Sequence, residues 1–277
     1  MQLMEVREFN LAKLEELLGV VAARHPIARL GEDLESLGRA FETRATMRLL
    51  LELDRPRFFV NLQRAAQARR FFLRKSIEQS STDAVFVALS RTGALFDCIA
   101  SGQWRLAAEL EELSPLEWMP AGEYEEDYCY HRLIHGYVAG VVGSTDLAAA
   151  QPWRNRLAAV VARIPQAGLD ASRLDICTSF LAGEEDQFWV TFEALVDASG
   201  NAAEAIPLAS GRVFDFPWVT ADRHVSIELL AWMALGRARG FHPPQREYRR
   251  CPSVAWIDGH METAPDVFLE LESRFGL

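Results

Sequence analysis

His131 and His135 stand four residues apart in the run CYHRLIH. On a helix that spacing stacks both imidazoles on one face, where they can share an ion. Glu125, Glu126 and Asp127 lie just upstream. A zinc hydrolase built on such a pair needs a glutamate directly after the first histidine as general base, and a third ligand further on. Position 132 is arginine, and no third ligand follows at a recognised spacing. The expectation is a histidine pair without a metal.

Other chemistry is equally sparse. Cys98, Cys129, Cys177 and Cys251 are scattered with no CxxC spacing, which predicts buried reduced thiols rather than a disulfide framework or a zinc site. There is no GxSxG elbow and no phosphate-binding glycine loop, and GRARG does not make a dinucleotide fingerprint. The expectation is a protein without a catalytic residue or a cofactor.

Acids are the residues that cluster. Three groups stand out: Glu109, Glu111 and Glu112; Glu123, Glu125, Glu126 and Asp127; and Glu184, Glu185 and Asp186. The second and third fall at expected helix starts, where carboxylates complement the helix dipole. That effect fades within a turn and does not call for three or four adjacent acids, so Glu123, Glu125, Glu126, Asp127, Glu184, Glu185 and Asp186 are the candidate partner-binding residues. Stacked hairpins would bring both groups to one edge. Residues 1–82 hold 14 Lys/Arg against 11 Asp/Glu, and residues 83–277 hold 15 against 28, within a total of −10. Most of the chain should repel nucleic acid and anionic membrane and attract a basic partner.

The elements that must carry these residues read as helices throughout. Leu11, Leu14, Leu17, Leu18 and Val21 mark a first helix ending before Pro26. Leu34, Leu37, Phe41, Met47 and Leu51 mark a second, reaching about Asp54. Asp54 then caps a third, with Pro56 in its first turn. The basic group Arg64, Arg69, Arg70, Arg74 and Lys75 on that helix reads as a solvated face or as a docking surface for something acidic. A polar linker covers 79–83. Beyond it Gly102, Gly143 and Gly183 recur at spacings of 41 and 40 residues, each between a helix end and a helix start. The run GRVFDFPWV, with Phe214, Phe216 and Trp218, reads as an aromatic loop; a helix resumes in HVSIELLAWMALGRARG, and DVFLELESRF closes the chain as a short helix. No alternating strand pattern appears. The predicted fold is all-α: antiparallel helical hairpins stacked as a compact, α-solenoid-like single domain over 1–277, with N-terminal helices in 1–82 and a hairpin repeat region in 83–277.

The first ten residues lack a basic run followed by an apolar stretch, so no signal peptide is expected, and no window approaches 18 uninterrupted apolar residues. A cytoplasmic protein is the expectation.

Three stretches resemble the immunity protein 49 family of bacterial polymorphic toxin systems: FVALSRTGALFDCIASGQW, FLAGEEDQFWVTFEALVDA and HVSIELLAWMALGRARGFHPPQREYRRCP. Together they span roughly residues 60–255. The resemblance implies an all-α protein without catalytic activity that binds and neutralises a cognate toxin, often a nuclease with a basic surface. It supplies no fixed set of binding residues. The rival expectations are a helical-repeat scaffold that binds a peptide or protein, and an α-helical enzyme of unfamiliar type.

Overall fold

Leu30, Leu34, Leu37, Phe41, Ala45 and Leu49 recur every three or four residues and are all buried. Such a stripe needs apolar cover on a broad face, and a computed structural model shows what supplies it. The structure describes residues 3–22, 27–79, 84–143, 157, 159–164, 168, 170–205, 221–256 and 263–270. The stripe belongs to α2 (Ile27–Glu52), which lies between α1 (Leu3–Ala22) and α3 (Arg55–Glu78). α1 contributes Leu14, Leu17 and Val21; α3 contributes Phe58, Phe59, Leu62, Ala65 and Ala66. The Asn10 amide of α1 donates to the Ala40 carbonyl at 3.0 Å. As expected, Asp54 caps α3: its carboxylate accepts the Arg57 N–H at 3.1 Å, with Pro56 in the first turn.

α4 (Ala84–Val87), α5 (Ala94–Ala100), α6 (Trp104–Leu113), α7 (Glu125–Gly143), α8 (Ala171–Ala182), α9 (Glu185–Ala205) and α10 (Ile227–Ala238) follow, with a 3-10 turn at Ser253–Ala255 and a helical segment at 267–270. Every residue of α5 is buried, and α10 buries Leu229, Leu230, Ala231, Trp232, Met233, Leu235 and Gly236. Helices apolar on all sides belong inside, and these two pack on each other at the centre. Around Trp232 the rings of Tyr130, Tyr137, Phe180 and Phe188 lie 5.8–6.4 Å away, centroid to centroid.

The fold is an all-α single domain, and among the described residues there is no strand, only an isolated bridge between Tyr248 and Cys251. Gly102 and Gly183 have φ of 66° and 82° and make the turns α5–α6 and α8–α9, as their spacing suggested. The turn expected after Gly143, the linker residues 80–83 and the aromatic loop at Phe214, Phe216 and Trp218 lie outside the described residues. The hairpins do not stack only on their sequence neighbours. α10 returns to α5, and the C-terminal residues return to α3: the Gln63 side chain accepts the Ala264 N–H at 2.6 Å, and Phe268 stacks on Phe71 with centroids 5.4 Å apart. Nor do residues 1–82 form a separate body, since α3 packs directly on α5 and α6.

The basic group of α3 departs from a solvated face. Arg69 and Lys75 are buried, and Arg70 pairs with Glu109 at 2.7 Å and with Asp266. Arg69 donates to the carbonyls of Phe86, Val87 and Ala88, the last two at 3.0 and 2.8 Å. These bases hold α4, α6 and the C-terminal segment against α3, because later parts of the chain bring carboxylates and carbonyls over that face.

Candidate functional site

The acidic residues sort by what their neighbours do with them. The Glu123 carboxylate accepts the Ser90 N–H at 2.8 Å, while its backbone carbonyl accepts the Trp118 indole at 3.2 Å, tying the loop before α7 to the loop before α5. Glu125 pairs with Arg163 at 2.5 Å and Asp127 with Arg173 at 3.5 Å. Glu185 accepts the His242 backbone N–H at 2.6 Å. Glu126 is half-buried, and Glu184 and Asp186 are exposed.

The two groups do not share an edge. Asp127 meets Arg173 near the start of α8, and further along α7 the Tyr137 hydroxyl donates to the Cys177 carbonyl at 2.8 Å, so α7 and α8 run the same way. Glu184, Glu185 and Asp186 follow the end of α8. A helix of 12 residues separates the groups by about 18 Å at 1.5 Å per residue. With α7 and α8 parallel, the start of α7 lies beside the start of α8, and the start of α9 falls at the opposite end. What stays open on the α7 side is Glu126 with the exposed Glu117, beside Tyr124 and Leu116, which are 73% and 70% exposed.

His131 and His135 face inward. Both are buried, and neither Nδ1 has a hydrogen-bond partner among the described residues. Burial pushes the His131 imidazole down to about 3 and that of His135 well below its ordinary value, so both are neutral at pH 7. Arg132, at the position where a metallohydrolase carries its general base, turns to Glu111 at 3.9 Å. No group of three or more His, Cys, Asp or Glu side chains gathers in an ion-holding arrangement among the described residues. All four cysteines are buried and unpaired, and burial raises the thiols, Cys251 to about 12.

The sequence reading missed a cavity of about 220 Å³ between α2, α3, α4 and α5. Gly31, Glu35, Gly38, Arg39 and Glu42 line it from α2 at helical spacing, Arg69 and Phe72 from α3, Phe86 from α4, and Phe96 and Asp97 from α5. His131 of α7 reaches it too, its ring 5.2 Å from that of Phe96. Asp97 is wholly buried, and neither of its oxygens receives an N–H or hydroxyl from the described chain. Its neighbour is the Glu42 carboxyl, and two carboxyls can bond only through a shared proton. Burial drives both upward, Glu42 to about 7; the Asp222 charge raises both, and the Glu42 charge raises Asp97 as well. With both carboxyls raised, the pair holds a proton near neutral pH. Glu35 near the mouth pairs with both Arg39 at 3.0 Å and Arg91 at 2.8 Å. A carboxyl pair holding one proton near neutral pH can accept or give a proton, or receive a cation. The local signal was a single acid inside the apolar run ALFDCIA.

No protein-family model matches the chain, and neither a curated protein nor a solved structure does.

Proposed function

We propose that this chain is an immunity protein: a non-catalytic inhibitor that binds a cognate antibacterial toxin one to one, in the cytoplasm, and covers the surface with which the toxin acts. The observation that carries this reading is the edge before α7. There Tyr124 and Leu116 stand open to solvent with Glu117 and Glu126 around them. Large amphipathic or apolar anchors inside a charged rim are the usual make-up of a protein-binding patch. The acidic excess of residues 83–277 gives that rim a field suited to a basic partner such as a nuclease. The three stretches that carry the family resemblance also pack together: α5 on α10, and α9 on both α8 and α10.

The test is co-expression with the toxin encoded beside it. Growth should return only when this protein matches the toxin in amount, and the two should co-purify at a one-to-one ratio. Rescue by catalytic amounts would overturn the proposal in favour of an enzyme that modifies the toxin or repairs its damage.

A further inference from the structure

The cavity floor offers acceptors in excess. Both oxygens of Asp97 and the Nδ1 of His131 are buried without a hydrogen-bond partner among the described residues, and all belong to side chains that line the same space. With His131 neutral, its ring adds no positive charge there. Three guanidiniums also line the cavity and have other work: Arg69 serves three backbone carbonyls, and Arg39 and Arg91 both pair with Glu35. A buried polar group left unmatched is costly, and groups of this kind in native proteins call for a partner. Here the partner must bring N–H donors and positive charge. An anion does not suit the floor, where the Glu42 charge already opposes ionisation of Asp97.

The walls narrow the class. Beside the polar Ser90 and Thr92, Phe72, Phe86 and Phe96 with Leu34 and Ala65 give the lining an apolar and aromatic part, surroundings that favour an alkyl chain and tolerate a cation. The volume lies below the roughly 300–1,000 Å³ of pockets for drug-sized ligands, so the occupant is small. We propose that this cavity binds a small primary alkylammonium compound, its ammonium head hydrogen-bonded to Asp97, Glu42 and His131 and its alkyl body among the three phenylalanines. This site is separate from the partner-facing edge, and its occupancy does not depend on the toxin.

The probe is propylammonium chloride, titrated into the whole protein and followed by saturation-transfer NMR and by the thermal midpoint, with 1-propanol as the uncharged analogue of equal length. Propylammonium should bind and raise the midpoint, with 1-propanol at least tenfold weaker. Glu42→Gln and Asp97→Asn should each weaken propylammonium at least tenfold while keeping the helical circular dichroism of the parent. Gly93→Ala gives a variant that leaves both carboxyls in place. Gly93 has φ −75°, open to any residue, and a methyl there would sit 3.4 Å from the Glu42 Oε1, so it should lower affinity by crowding the floor. No binding of propylammonium at tens of millimolar, equal binding of 1-propanol, or unchanged affinity in Glu42→Gln would each overturn the proposal.

Discussion

The Tyr130 hydroxyl donates to the Glu228 carboxylate at 2.6 Å while accepting the Trp232 indole N–H at 2.8 Å. Arg173 extends the chain: its guanidinium lies 4.7 Å from the Tyr130 ring centroid, bonds Glu228 twice at 3.2 Å and reaches Asp127 at 3.5 Å. One polar thread thus crosses from the central helix α10 through α7 to the start of α8. Tyr130→Phe should strand the buried indole N–H and cost about 1–3 kcal/mol of stability. Urea denaturation of the two proteins measures it, and equal midpoints would mean that the thread holds nothing.

Glu42 should give the protein an unusual response as pH rises towards neutral. Its pKa is raised in the folded state, so between the ordinary 4.5 and about 7 the native state holds more protons than the unfolded chain, and stability falls as pH rises through that window. His131 acts with the opposite sign: its lowered pKa means stability is lost as pH falls below about 6.5. Glu42→Gln keeps the histidine contribution and removes the other. Its advantage over the parent should grow from about pH 5, level off near pH 8 and reach about 1–3 kcal/mol, because glutamine also offers Asp97 an N–H. Denaturant midpoints at each pH, compared between the two proteins, read this directly.

Gly183 should be hard to replace. Its φ is +82°, and a Cβ there would lie 2.6 Å from the Arg239 guanidinium, which donates to the Phe180 carbonyl. Gly183→Ala should cost about 1–3 kcal/mol. Gly19→Ala is the control: it is helical with nothing within 4 Å of the added methyl, so it should stabilise by up to about 1 kcal/mol.

The proposed partner-facing edge makes a prediction about which acids matter. Tyr124→Ala should weaken toxin binding by about 2 kcal/mol or more if the ring is an anchor. Glu126→Lys should slow association and lose its effect in high salt. Asp127→Lys should act otherwise, because it sets a cation against Arg173 and disturbs the thread to Glu228; its cost should show in the thermal midpoint of the free protein. Surface-plasmon association rates at two salt concentrations separate these cases.

Much of this was legible in local sequence, and the boundary has a physical cause. Asp54 with Pro56 announced a helix start, and Gly183 announced a left-handed turn, because caps and turns are settled within a few residues. The apolar spacing of α2 revealed its buried stripe for the same reason. Arg69 could not be read this way: its fate rests on three carbonyls 17–19 residues further on. Asp97 reads locally as a first-turn acid, and only its meeting with Glu42 of α2 makes it a buried carboxyl pair. The opposite placement of the two acidic groups depends on α7 and α8 running in parallel, which no motif near either group encodes.

The return of the C-terminal segment to α3 also sets a schedule for biosynthesis. The Gln63 and Gln67 side chains find their partner at Ala264, 201 and 197 residues later. At roughly 5–20 residues per second, translation leaves that face of α3 open for roughly 10–40 s after it emerges. A nascent chain therefore cannot finish its first hairpins by themselves and carries the buried amides and Phe71 uncovered until the last helix arrives. Pauses late in the message would lengthen that exposure, and a chain cut short before residue 264 would never end it.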